Sequence, residues 1–288
     1  MGRRHTIGPR DLAAICQISE ADRTALLAEG MPVILASAES AWEGARALVD
    51  RPREAEVLEG LAAEEAAKIL ILVDLYRCPA ARRAEVVGKV ARRFYDHLAR
   101  LIYANAVRWR PVTKAELRSY VDGERRSHVV DGPFGEWIMA SGPVVERERR
   151  LYGDVERFDD GALVWSEPRG LPVIGAHRPP PAVSLVLAMR NLGLLTAEGL
   201  KAIARVWGTR DLTDDLDHRE ARDLKRKTLE DAEATGVIPA TASDDDVRTL
   251  YELWAFPMWD FDFHAIEVPL EELEEERDRN LANEMGGW

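Results

Sequence analysis

Apolar side chains recur at steps of three and four along most of this 288-residue chain, and the places where that rhythm stops predict its elements. Ser19 is placed to cap a short helix ending at Gly30, and Pro32 then sits in the first turn of a second helix running to about Asp50. Pro52 breaks that helix. A third spans about Arg53 to Tyr76 and stops ahead of Cys78-Pro79, because the residue before a proline disfavours helical geometry. A fourth runs from Ala81 to about Arg108. Pro111 closes it, and Thr113 with Glu116 forms a capping box that starts a short fifth helix. Helices joined by such short links predict a bundle over residues 1–126.

Residues 127–181 change to glycine, proline and short apolar runs, with Ala162 to Trp165 and Val173 to Ile174 as strand pieces, which predicts a loop or small β-hairpin insertion. Helical periodicity returns from Ala182 to Trp207 and from about Asp214 to Ala234, so residues 182–235 are expected to add bundle helices. Residues 236–288 combine an acidic stretch (Asp244 to Asp246), an aromatic segment (Trp254 to Phe263) and a charged helix (Leu270 to Glu284). They are expected to form a C-terminal helical appendage. The expected fold class is therefore mainly α.

Length allows a substantial core without covalent staples. Cys16 and Cys78 stand far apart, each beside helical sequence, so neither a disulfide framework nor a CxxC metal site is expected, and a reducing, cytoplasmic setting fits. The first ten residues hold no apolar signal core, and the longest apolar run, Ala66 to Tyr76, is interrupted by Lys68 and Asp74. No membrane span is expected. The basic residues comprise 6 lysines and 33 arginines, which with abundant alanine is the bias of a GC-rich bacterial genome.

The net charge of −12 argues against a generic polyanion binder, yet the charge is segregated. From Arg77 to Arg126 there are 13 basic and 5 acidic residues, and the remainder of the chain carries a net −20. That stretch is either a solvated arginine-rich surface or one that faces RNA. In the second case Arg100, Arg108 and Arg110 are its candidate RNA contacts.

Ionisable residues interrupt two apolar stripes. In the third predicted helix Leu58, Leu61, Glu65, Ile69, Leu72 and Tyr76 share one face, with Lys68 on its edge. In the fourth, Val90, Phe94, His97 and Leu101 form the same kind of stripe, which places His97 at a core position. A charge facing a core is costly unless paired, so Glu65, Lys68 and His97 are expected to contact one another or a neighbouring arginine. Such a cluster serves either as a structural ion network or as a catalytic centre.

The segment Ala62-Ala63-Glu64-Glu65-Ala66-Ala67-Lys68 resembles the E-E-x-x-K helix of AbiV-type abortive-infection proteins, a branch of the HEPN superfamily. Phe94-Tyr95-Asp96-His97-Leu98-Ala99-Arg100 resembles that family's F-x-x-H helix, with Arg100 where a lysine is common. Glu148 to Asp154, with Trp165 and Pro168, resembles its R-x-x-L-Y-x-D…W-x-x-P segment. The three occur in the family's order over roughly Ser19 to Pro168, which implies a HEPN-like helical bundle.

HEPN ribonucleases carry an arginine, four to six intervening residues and a histidine, a spacing that Arg92 and His97 meet. Five residues of regular helix turn about 500°, leaving Arg92 roughly 140° from His97, whereas Arg93 and Arg100 lie within about 60° of it. Arg92 thus carries the family spacing and Arg93 suits an unbroken helix. In such an enzyme the histidine deprotonates or positions the RNA 2′-hydroxyl while arginine neutralises the scissile phosphate, with no metal or other cofactor. Glu65 and Lys68 join His97 and the arginines as candidate catalytic residues; Glu64, Asp96, Tyr152 and Asp154 are candidate supporting residues. The resemblance further implies an antiviral (phage) defence role, RNA as substrate and a homodimer whose two motifs face one cleft.

Two other readings compete. A non-catalytic HEPN interaction module would use the cluster to hold the bundle together and contact a phage or regulatory protein. A carboxylate-histidine metal bundle is the weaker alternative, since such sites repeat Glu-x-x-His across helices and this chain has no copy of it. Asp260, Asp262 and His264 alternate with Trp259, Phe261 and Phe263, an arrangement that an edge strand with a polar outer face explains more simply than a metal site.

Overall fold

A computed structural model of the chain describes residues 12–140, 142–157, 161–168, 178–210 and 212–285. Ser19 opens the first long helix as expected, its hydroxyl accepting from the Asp22 amide. That helix, α1 (Glu20–Ala47), runs without the break expected between Gly30 and Pro32. Met31, Leu35, Ala38, Trp42 and Ala45 carry the buried stripe begun at Leu27 straight past the proline, while Pro32 itself faces solvent. The missing amide thus falls where water can satisfy the freed carbonyl, and burial of the stripe outweighs a proline cost of about 3 kcal/mol.

Next comes α2 (Pro52–Arg77), with proline at its first position, where an amide donor is not needed. The chain continues through α3 (Arg83–Arg93), α4 (His97–Ala106), α5 (Lys114–Glu124), a hairpin of β1 (His128–Asp131) and β2 (Trp137–Ala140), and α6 (Pro143–Leu151). A second hairpin, β3 (Asp154–Arg157) with β4 (Leu163–Ser166), precedes α7 (Pro181–Asn191), α8 (Ala197–Trp207), α9 (His218–Ala234), α10 (Asp244–Leu253) and α11 (Leu270–Met285). The central helix is α2, which packs against α1, α3, α4, α6, α7 and α8. Every residue from Ala66 to Tyr76 except Lys68 is buried, because neighbours cover all sides of this helix and not one stripe.

Two predicted helices are each divided in two. The expected helix from Ala81 to Arg108 breaks at Phe94–Asp96, where the Asp96 carboxylate accepts from the Leu98 amide at 2.9 Å and the Ala99 amide at 3.4 Å and so starts α4 afresh. The helix expected from Ala182 to Trp207 stops at α7, turns through Gly193 at φ +73°, and restarts as α8. A side chain at Gly193 would also collide with the Val237 carbonyl.

Both hairpins are antiparallel, His128 opposite Ala140 and Asp154 opposite Ser166. The strand piece at Ala162 to Trp165 largely coincides with β4, and the one at Val173 to Ile174 lies outside the described residues. The hairpin β1–β2 lies within the expected insertion, although its strands are not among the expected strand pieces, and the helix α6 has no counterpart in the sequence expectation.

The C-terminal segment departs most from it. Trp254, Phe256, Met258, Trp259, Phe261 and Phe263 are buried in the same core cluster as α2, so this aromatic stretch is an integral wall of the bundle. Only α11 fits the idea of an appendage, resting on β1 and β2. No strand forms at Asp260 to His264: Asp260 accepts from Lys114 Nζ and an Arg118 guanidinium nitrogen, both at 2.9 Å, and Asp262 pairs with Arg125 and His264, each at 2.6 Å. Among the described residues no three His, Cys, Asp or Glu side chains gather as a metal-ligand set, and no helix is long and apolar enough to cross a membrane.

Candidate functional site

The break at Phe94–Asp96 puts His97 on the first residue of α4, above α2. Its Nδ1 lies 2.8 Å from Oε2 of Glu64, whose side chain is only 4 % exposed. The other Glu64 oxygen accepts from Arg147 Nε of α6 at 2.7 Å, and an Arg100 guanidinium nitrogen stands 3.5 Å from Oε2. Arg100 is fixed in turn by donating to the carbonyls of Asp96 (3.3 Å) and Tyr95 (3.4 Å), the residues that form the break. Three helices therefore converge on one buried carboxylate.

The His97 side chain is 50 % exposed, which corrects its expected place in the core. Once α3 and α4 are separate helices, a stripe drawn through both no longer describes a single face. With Nδ1 held by Glu64, Nε2 is the ring nitrogen left to meet a ligand or move a proton. Glu64, Arg100 and Arg147 together carry a net positive charge even when the imidazole is neutral, so the cluster favours an anion.

Glu65 and Lys68 pair with each other as expected, with Lys68 Nζ 5.4 Å from the Phe94 ring centroid. It is Glu64, however, that holds His97. Arg93 is buried and donates to the carbonyls of Trp259 (2.9 Å), Met258 (3.3 Å) and Phe261 while stacking on Phe263. It pins the C-terminal aromatic wall and has no place in the cluster. Arg92 is exposed in the last turn of α3, on the other side of the break from His97. Asp96 acts as the α4 cap, and Arg108 and Arg110 are exposed beyond the far end of α4, with Arg110 3.7 Å from Glu252. Tyr152 and Asp154 are exposed and border a small cavity of about 160 Å³ with Glu148, Arg149 and Ser166.

Sequence reasoning missed Arg147 altogether. It lies 83 positions from Glu64, across a hairpin, and Glu148 occupies the place where the family pattern has arginine, so that pattern pointed one residue away. A second buried network, one turn from the end of α2, was also hidden. Asp74 Oδ1 accepts from Arg77 at 3.0 Å, and Oδ2 accepts from the Tyr103 hydroxyl at 2.9 Å and the Met258 amide at 2.8 Å. The Arg77 guanidinium also donates to the Ala255 carbonyl and lies against the rings of Trp207 (4.2 Å) and Trp254 (4.7 Å), whose own centroids are 5.3 Å apart. Burial, followed by the adjacent Asp74 charge, pushes the Tyr103 phenol well above its usual range, and burial lowers the Arg77 guanidinium against the opposing pull of Asp74.

Comparison with protein families, with curated proteins and with solved structures finds no match to this chain.

Proposed function

We propose that this protein is an AbiV-like HEPN endoribonuclease of bacterial antiviral defence that cleaves RNA without a metal. The observation that carries the proposal is a histidine anchored through Nδ1 on a buried glutamate, with its other nitrogen outward, inside a cationic cluster. In this reading His97 Nε2 takes the proton of an RNA 2′-hydroxyl, and that oxygen attacks the adjacent phosphorus as the bond to the 5′-oxygen breaks. Glu64 keeps the ring oriented and stabilises the imidazolium. Arg100 and Arg147, with Arg92 at the family spacing, stabilise charge on the phosphate. The products are a 2′,3′-cyclic phosphate, open to hydrolysis to a 3′-phosphate, and a 5′-hydroxyl that takes its proton from the imidazolium, which returns to its neutral form.

The test is incubation of purified wild-type and His97→Ala protein with total RNA in EDTA, followed by analysis of the new ends. Wild-type protein is expected to leave 2′,3′-cyclic phosphate or 3′-phosphate ends, and the variant is expected to leave the RNA intact. Cleavage that EDTA stops and Mn²⁺ restores would contradict the mechanism.

A non-catalytic interaction module is the second reading, and the β3–β4 hairpin favours it. Leu163, Val164 and Trp165 are all exposed there, Trp165 at 79 %, next to exposed Tyr152. Such apolar exposure suits an interface, and the hairpin follows directly on the helix that supplies Arg147. A homodimer through this side of the molecule serves both readings, since it would set two His97 residues along one cleft. Static light scattering is expected to give the mass of two chains.

A further inference from the structure

Lys225, on α9, is buried and donates to the Tyr251 carbonyl of α10 at 3.1 Å. An ammonium group has three protons to place, so this bond leaves donors unspent. Lys225 borders a cavity of about 580 Å³, inside the roughly 300–1,000 Å³ range of small-molecule sites. Trp109 and Tyr251 supply aromatic walls open to a ligand, the buried Trp254 and Phe256 also border the cavity, and the Arg222 guanidinium lies 5.4 Å from the Tyr251 ring centroid.

The charges around this cavity do not balance. Arg110 pairs with Glu252 and Arg248 with Asp245, while Asp244 lies exposed in the first turn of α10. Lys225 faces Arg222 on its own helix and Arg77 on α2. Burial, then Arg77, then Arg222 pull its amine down to about 7, and no carboxylate offsets them. A site with two cations, too little negative charge and aromatic walls is complementary to a molecule joining an anionic group to a flat ring.

We propose that the cavity between α9 and α10 binds a nucleoside phosphate, with Lys225 and Arg222 on the phosphate and the aromatic walls against the base. A phosphate monoester supplies the negative charge that the two cations and Asp244 together lack, and a nucleobase presents a face that stacks on such rings. The site is distinct from the His97 cluster: His97 is the first residue of α4, which rises about 15 Å to Ala106 before the chain reaches Trp109. The proposal stands whether or not the protein cleaves RNA.

Isothermal titration of the full chain with adenosine, guanosine, cytidine and uridine 5′-monophosphates tests it, with adenosine and inorganic phosphate as controls. At least one monophosphate is expected to bind one per chain, about tenfold or more tighter than either control. Lys225→Met and Arg222→Ala are each expected to weaken it by about tenfold or more. Arg222 is exposed, so its variant keeps the test meaningful even if a change at Lys225 disturbs folding. His97→Ala is expected to bind as the wild type does. The proposal is overturned if no monophosphate binds below about 1 mM, if Arg222→Ala binds unchanged, or if inorganic phosphate binds equally well.

Discussion

Glu64 and Asp74 are both buried on α2, ten positions apart, and each draws cations from its surroundings. Their networks differ in where they end. Around Asp74 every partner is itself enclosed: Arg77 is buried against two tryptophans, Tyr103 is 2 % exposed, and the Met258 amide belongs to the core. Around Glu64 the chain of contacts leads outward, to a half-exposed imidazole and to Arg147, whose side chain is 29 % exposed. The first arrangement locks α2, α4 and the C-terminal aromatic segment together and leaves beside Asp74, Arg77 and Tyr103 a cavity of only about 20 Å³, room for water but not for a ligand. The second uses an equally buried carboxylate to fix groups that solvent, and therefore a ligand, can reach. Burial of an ionisable group at the centre of a bundle is thus shared by scaffold and site; access separates them.

The contrast predicts a graded series of stability effects. Asp74→Asn is expected to cost the most, about 3–5 kcal/mol by chemical denaturation, because it leaves Arg77 buried, charged and unmatched against its two rings. A cost below about 1 kcal/mol would show that the Asp74 network is not a lock. Glu64→Gln is expected to cost about 1–3 kcal/mol, since Arg147 and His97 can turn to water, while removing RNA cleavage through loss of the ring's orientation. Glu65→Ala is expected to cost about 1–2 kcal/mol, because the Glu65 and Lys68 side chains, though mostly covered, keep 13 % and 17 % exposure and the lysine retains the Phe94 ring. A fully enclosed pair, as the sequence stripe suggests, would instead cost about 3–5 kcal/mol, so the same denaturation curve decides between them.

Periodicity and caps made the helical architecture legible in the sequence: Ser19 and Thr113 cap helices where expected, and the helix expected from about Arg53 starts at Pro52, the residue expected to break its predecessor. Discrete helix ends inside continuous apolar stripes were not legible. No local spacing marks Asp96 as a cap, so the apolar stripe reads straight through it and turns His97 inward. The error at Pro32 has the opposite sign, since a strong breaker on the solvent side is overridden by the stripe beneath it. The E-E pair marked the right turn of α2 but not which glutamate engages His97, because that depends on how α4 re-enters over α2. Arg147 and the Asp74 partners arise from contacts between segments far apart in the chain, which no local spacing records. The aromatic alternation at Trp259 to Phe263 was visible, yet its burial depends on Arg93 and Asp74 binding its backbone.

The central claim is that the outward-facing Glu64 network acts while the enclosed Asp74 network only holds. The most direct test is the rate of RNA cleavage by His97→Ala and Asp74→Asn, each assayed in EDTA at a temperature where circular dichroism shows it folded. His97→Ala is expected to lie within about 0.5 kcal/mol of wild-type stability and to have lost cleavage. Asp74→Asn is expected to be less stable and, while folded, to cleave at close to the wild-type rate. Full activity in His97→Ala, or its loss in folded Asp74→Asn alone, would contradict the account.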